Sequence, residues 1–140
     1  MPEESTSPDV VELTRRAFEA VNRHDVDAVM SFFAPDAVLD GRGAGDRFEG
    51  PAAIRGFLDE WFGYFADLRY EVEELVVLDD GVVLAMVDQA GRPVGVDGRV
   101  HQREGWAICW SAAGLIARLL VHADIDEARA AAERLAEARR

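Results

Sequence analysis

The sequence predicts an α+β domain: a cone-shaped half-barrel of curved, mostly antiparallel sheet, with three N-terminal helices packed on it and a C-terminal helix. Three observations carry this. Apolar residues recur at helical spacing up to Phe65, the period drops to 2 from Leu68, and the spacing of Asp124 and Glu127 opens a last helical stretch.

Taken in order, Ser7, Pro8 and Asp9 supply a capping hydroxyl, a proline at the first helical position and an acid at the dipole end. Val10, Leu13, Ala17, Phe18 and Val21 then continue the first helix to Arg23. Asp25 caps a shorter helix with a stripe of Val26, Val29, Met30 and Phe33, stopped by Ala34-Pro35. Ala37 to Asp40 reads as a brief strand, and Gly41 to Gly50, with its glycines and alternating charges, as a mobile loop. Pro51 opens the third helix, which carries Ile54, Phe57, Leu58, Trp61, Phe62 and Phe65. Leu68, Tyr70 and Val72 alternate with Arg69, Glu71 and Glu73, as a half-buried strand should. Asp79-Asp80-Gly81 turns into a strand from Val82 to Gln89. A glycine-rich turn precedes a long strand, Arg99 to Ser111, and Ala112 to Gly114 leads to the last one, Leu115 to His122. Such a meander with helices on one face makes a half-open cone, whose apolar interior is a small-molecule pocket.

The chain spans one domain, 1–140, with 1–6 a frayed tail. Its net charge of −12 comes from 27 acids against 15 bases, every base an arginine. Phosphate binding is driven by clustered cations that release counterions, so no nucleic-acid partner is expected. No polybasic stretch suits an anionic membrane, and no apolar run approaches the roughly 18–20 residues that span one. The polar opening MPEESTSPD shows no secretory signal, so a cytoplasmic location is expected. Cys109, the single cysteine, gives neither an internal disulfide nor a zinc spacing and reads as a small hydrophobe. Phosphate-loop, dinucleotide, His-x-x-x-His and nucleophile-elbow patterns do not occur, so the expected chemistry is cofactor-free and metal-free proton transfer.

The runs FEAVNRHDVDAVMSFFAPDAVLDG and FEGPAAIRGFLDEWF, with the closing AAGLIARLLVHAD, resemble the SnoaL-like branch of the nuclear transport factor 2-like superfamily. The resemblance covers Val10 to Leu135 and implies the cone. It leaves the reaction open, because this fold hosts isomerases, cyclases, hydrolases, transport factors and dimerisation domains. Against the ketosteroid isomerases, the general-base aspartate falls on Gly41, the oxyanion-donating tyrosine on Ala17 and the protonated aspartate near Trp106, so all three roles are vacant. The limonene epoxide hydrolase triad is broken as well, with Met86-Val87-Asp88 on the middle strand and Val121 on the last. The aspartate and histidine of SnoaL-like polyketide cyclases find no matching positions.

Three carboxylates are candidates for proton transfer. Asp40 ends the first strand, either poised at the cavity mouth or bonding the turn backbone. Asp88 follows six apolar residues, as the exit of a buried strand or as a carboxylate inside the pocket. On the long strand, Gln102, Glu104, Trp106, Ile108 and Trp110 are assigned to the cone, because two indoles belong where each N–H finds a partner. His101, Arg103, Gly105, Ala107 and Cys109 then face outward. Glu104 among aromatics would have its charged form disfavoured; the alternative is a pair with Arg99 or Arg103 on an exposed strand end. On the third helix, Trp61, Tyr64 and Phe65 are candidates for ligand contact beside a plain core role. His122 is a structural residue or a proton carrier, and His24 reads as solvated.

Two functions follow. One is an isomerase, cyclase or hydrolase acting on a hydrophobic small molecule, with Glu104 as the proton-transfer group and Asp88 or Asp40 as its partner. The other is a non-catalytic ligand-binding or dimerisation module, its cone plugged by Trp61, Trp106 and Trp110. A homodimer is expected through the outer sheet face, where Gly105, Ala107, Cys109, Leu120 and His122 would leave an apolar surface.

Overall fold

The computed structural model describes residues 9–41, 46–79 and 81–139. Helices α1 (Val10–Asn22) and α2 (Val26–Met30) precede strands β1 (Phe33–Gly41) and β2 (Asp46–Glu49). After α3 (Pro51–Tyr64) come β3 (Arg69–Asp79), β4 (Val82–Gly91), β5 (Val100–Trp110), β6 (Ile116–His122) and α4 (Ile125–Ala138). The strands form one open sheet in the order β2-β1-β6-β5-β4-β3. Only β1 and β6 pair in parallel, so the curved, mostly antiparallel sheet of the α+β expectation is present.

Several boundaries differ from the sequence reading, each for a local reason. Asp9 itself caps α1, its carboxylate accepting from the Glu12 amide at 3.2 Å; Ser7, Pro8 and the tail lie outside the described residues. Phe33, expected in the stripe of the second helix, instead opens β1, which also takes in the Ala34-Pro35 stop. The proline cannot donate to a ladder, and the β1–β6 register shifts between Phe33 and Val38 around it. Part of the expected loop is β2, where Asp46 to Glu49 pairs back onto Gly41 to Val38; residues 42–45 and Asp80 are outside the described set. His24 is not simply solvated. It takes a left-handed φ of 56°, its Nε2 lies 2.7 Å from the Leu68 carbonyl oxygen, and its ring stacks on Phe62.

Burial on both faces explains the unbroken apolar run of β4. Val83, Ala85 and Val87 face the core formed with α1, α2 and α3, while Val82, Leu84 and Met86 face α4. This overturns the expectation of an open outer face. Ala128, Ala131, Ala132 and Ala136 of α4 lie on it with Ala107, Cys109 and Leu120. The helix comes so close over β5 that a Cβ added at Gly105 would stand 2.3 Å from the Cβ of Ala128. Asp124 starts α4 by accepting from the Asp126 and Glu127 amides. Arg139 closes its far end, donating to the Trp110 carbonyl at 3.3 Å and lying 3.7 Å from Asp79. Among the described residues, no helix is long and apolar enough to cross a membrane.

Gly105→Ala is therefore expected to destabilise the fold by about 1–3 kcal/mol through overpacking against α4. Gly56→Ala, on a helix with nothing within 4 Å of the added carbon, should instead stabilise it by up to about 1 kcal/mol. Urea denaturation of the two variants measures both. Asp67 ties the β4–β5 connection by pairing with Arg99 and accepting from the Arg92 amide at 3.0 Å. The hydrogen bond from Arg99, followed by that from the Arg92 amide, holds the Asp67 carboxyl below its ordinary value. A depressed folded value stabilises above the unfolded one, so this tie should persist at neutral pH and be lost as pH falls through the lowered value. Protease nicking between 92 and 99 should rise over that acid range, and much less in Asp67→Asn, which lacks the tie at any pH.

Candidate functional site

Helices α1, α2 and α3 and the inner sheet face enclose a cavity of about 150 Å³. Its wall is mostly apolar, with Phe18 and Val21 from α1, Phe57, Leu58, Trp61 and Phe62 from α3, and Leu39, Ile108 and Leu119 from the sheet. Tyr70, Gln89, Glu104 and Asp46 are the polar exceptions among the described lining residues, together with the indoles.

Strand register brings three of them together. Tyr70 and Gln89 are direct partners across β3 and β4, and Glu104 on β5 pairs with Val87, two residues from Gln89. Glu104 is 2% exposed, and its Oε1 accepts from Trp106 Nε1 at 2.8 Å. With the Gln89 amide turned so that its nitrogen rather than its oxygen faces Glu104, that nitrogen stands 3.3 and 3.2 Å from Glu104 Oε1 and Oε2 and 3.1 Å from the Tyr70 hydroxyl. Trp61 Nε1 donates to the same hydroxyl at 3.0 Å. Asn22, at the end of α1, fixes the backbone under this tyrosine by accepting from the Tyr70 amide at 2.7 Å and donating to its carbonyl at 2.9 Å. The Trp106 ring packs on Phe18 and Tyr70, with centroids 4.7 and 5.2 Å apart. A chain of donors thus runs from α3 across three strands to one buried carboxyl.

The inner face of β5 is the even-numbered one, and Glu104, Trp106 and Ile108 line the cavity. Trp61 lines it from α3. The other expected site residues lie elsewhere. Trp110 is buried in the core, its indole donating to Thr14 Oγ1 at 3.1 Å. Gln102 shares the inner face but stands opposite Gln89, beyond the cavity wall. Phe65 is buried behind Trp61, against which it packs edge-on, and Tyr64 is 61% exposed. Asp40 points to the outer face, where Arg118 donates to it at 2.9 Å and Arg47 lies at 3.5 Å. Hydrogen bonding to Glu49, then the charge of Asp40, holds the Arg47 guanidinium above its ordinary value. Asp88 also faces outward, 3.2 Å from His101 Nδ1. Alternation explains both, since Leu39 and Gln89, their chain neighbours, take the inner positions. His122 lies beside α4, 3.7 Å from Glu127.

Sequence reasoning missed Tyr70, Gln89 and Asp46 as wall residues, Tyr70 having been read only as the buried side of a half-buried strand. Gln89 was recoverable, because period-2 alternation from Val83 puts it on the inner face. Asp46 was not, since its place depends on the hairpin of β1 and β2. No group of three or more His, Cys, Asp or Glu that could hold a metal occurs among the described residues.

Residues 14–119 match the SnoaL-like domain model. The chain belongs to the SnoaL-like domain family. A search of curated proteins finds no match. Among solved structures, this SnoaL-like domain is similar to SalBIII, an epoxide hydrolase/cyclase-like enzyme with a role in pyran ring formation in the polyether salinomycin. The two are 22% identical with a TM-score of 0.73, over 80% of this chain and 88% of that one. RV0760c from Mycobacterium tuberculosis is 18% identical with a TM-score of 0.74, over 88% of this chain and 96% of its own. The same protein in complex with estradiol-17beta-hemisuccinate gives 17% and 0.72, over 88% and 97%. At these identities the likeness is one of fold. Ala17, Gly41 and Trp106, where the resemblance places the isomerase groups, all line the cavity here and carry no acid or base.

Trp106→Phe keeps a ring in the wall while removing one donor to Glu104. It is expected to cost about 1–3 kcal/mol of folding stability, since a buried acceptor loses its partner. Ile108→Val on the same face, which removes one methylene, should cost about 0.5–1.5 kcal/mol. Chemical denaturation of both variants checks the difference.

Proposed function

We propose that this SnoaL-like domain is a cofactor-independent acid–base enzyme of the isomerase, cyclase or hydrolase type. It takes a hydrophobic small molecule into the cone and moves a proton through Glu104. The observation that carries this reading is a carboxyl 2% exposed in the wall of an apolar cavity, with the Trp106 indole donating to it from the same strand. Desolvation makes such a group sensitive to what binds beside it, and strand-borne donors fix its direction. Trp106 donates to the carboxyl and Gln89 stands within hydrogen-bond distance of both its oxygens, so the group that moves the proton is held in one direction. The Tyr70 hydroxyl, in the same wall, is placed to hydrogen-bond a substrate oxygen. Asp46, exposed on its strand yet lining the cavity, is the nearest substitute for the partner role first given to Asp40 or Asp88. SalBIII and the estradiol-17beta-hemisuccinate complex of RV0760c support a hydrophobic substrate by analogy of fold alone.

The alternative, a passive module with a plugged cone, is less well supported. Trp110 belongs to the core, and Trp61 and Trp106 stand in the wall of a cavity rather than filling it. Pairing of two copies through the outer sheet face is not part of this proposal, because α4 lies on that face.

Glu104→Gln keeps shape and removes the titrating proton. Screened against small apolar epoxides and enones, the wild type should turn over at least one of them. The Gln variant should retain its circular dichroism and lose about 10²–10⁴ in kcat. Equal turnover by both would overturn the role of Glu104.

A further inference from the structure

We infer that this cavity encloses one ring and rejects two fused ones, and that the indoles of Trp61 and Trp106 set the limit. The occupant is a compact, mostly apolar monocyclic molecule, and these two residues decide size specificity. Calling that occupant a substrate rests on the function proposed above, while the binding claim stands on the cavity itself.

Volume is the first argument. An apolar cavity of about 150 Å³ holds one benzene, and the space between the helices and the inner sheet face is of that size. A wall that keeps its shape limits the enclosed part of a ligand to roughly six to nine non-hydrogen atoms. Anything larger leaves its remainder at the mouth beside Asp46, the one exposed residue among those described in the wall.

The second argument is what narrows the cone. Val83, Ala85 and Val87 share the inner face of β4 with Gln89 and are fully buried, yet of the four only Gln89 lines the cavity. Side chains of neighbouring elements take up the space over the other three. Trp106 stands across from Ala85 in the β4–β5 register. Its ring packs on Phe18 of α1 and Tyr70 of β3, with centroids 4.7 and 5.2 Å away. A large ring opposite a small residue fills width that the backbone alone would leave open.

Anchorage is the third. Trp106 Nε1 donates to Glu104 Oε1 at 2.8 Å, and Trp61 Nε1 donates to the Tyr70 hydroxyl at 3.0 Å. Neither bond depends on whether the carboxyl carries a proton, because a neutral acid keeps an accepting oxygen. Trp61 also packs edge-on against Phe65 and nearly parallel to Phe57, with centroids 5.1 and 6.1 Å away. To admit a second ring, an indole must turn aside and give up its hydrogen bond and its ring contacts together. Packed interiors have low compressibility, so the wall does not widen without that turn.

The test compares acetophenone with 2-acetonaphthone, which carry the same carbonyl group on one ring and on two fused rings. Each is titrated into the full chain by calorimetry, with tryptophan fluorescence as a second readout. In an open groove the second ring would bury more apolar surface and bind tighter. Here acetophenone should bind at least about 10-fold tighter than 2-acetonaphthone, the order of discrimination that a filled apolar pocket supplies. Trp61→Leu and Trp106→Leu, each checked for native circular dichroism, should bring the two-ring ketone at least level with the one-ring ketone. Wild-type protein that binds 2-acetonaphthone as tightly as acetophenone, or binds neither, overturns the inference. Folded leucine variants that keep the wild-type order overturn the assignment to the indoles. The wild-type comparison decides the size limit without any variant, and Trp61→Leu, which leaves the bond to Glu104 intact, tests the indoles where Trp106→Leu does not fold. The two readings fail separately. Glu104-dependent turnover of a two-ring substrate with no one-ring preference removes the size limit and leaves the acid–base role. A one-ring preference with undiminished turnover in Glu104→Gln does the reverse.

Discussion

Glu104 has lost nearly all contact with water, and a carboxyl in that position is tolerated only where other donors replace the solvent it gave up. Much of the molecule's inner architecture answers this demand. Trp106 donates from two residues along the same strand, Gln89 from the neighbouring strand, and Tyr70 and Trp61 extend the network to β3 and α3. Each donor needs its own element held in register, and Asn22 ties α1 to the backbone of Tyr70. A slip of one residue in β4 would turn Gln89 outward and Asp88 inward, exchanging a neutral donor for a second acid beside Glu104. The register is thus an electrostatic requirement as well as a packing one.

The opposite face of the sheet solves a different problem with small residues. Gly105 and Ala107 leave a shallow surface, and the alanines of α4 approach it more closely than larger side chains permit. The result is a strand β4 buried on both sides and a sheet whose outer face is satisfied within the chain. Arg139 joins the end of that helix to Asp79 and the Trp110 carbonyl, at the turn where β3 passes to β4. The two cores share β4 and β5, so loss of packing at α4 is transmitted to the strands that hold Gln89 and Glu104.

The cavity shows how one fold changes its chemistry without changing its outline. Ala17, Gly41 and Trp106 occupy wall positions that the isomerase resemblance would fill with acids and hydroxyls. The polar groups of this wall are Asp46 on β2, Tyr70 on β3, Gln89 on β4 and Glu104 on β5. Function in such a family follows the side chains of the wall rather than the backbone that carries them.

The sequence by itself determined the α+β class, the change of period at Leu68 and the even-numbered inner face of β5, because these depend on local alternation and on where indoles are stable. Glu104 and Trp106 were legible as wall residues for the same reason, as was the inward face of Tyr70. What alternation could not supply was the origin of each pattern. Asp40 and Asp88 lie toward the ends of their strands, where one step of register separates the cavity from an outward contact with Arg118 or His101. Tyr64 and Phe65 lie where α3 ends, one exposed and one buried behind Trp61. The outer face looked open because nothing in a strand's own residues says which helix will return to cover it. Only the tertiary structure decided that α4 does so, through the fit of its alanines to Gly105. The placement of Asp46 opposite Gly41 was likewise a product of pairing between β1 and β2, a contact set by the whole sheet and not by the residues that make it.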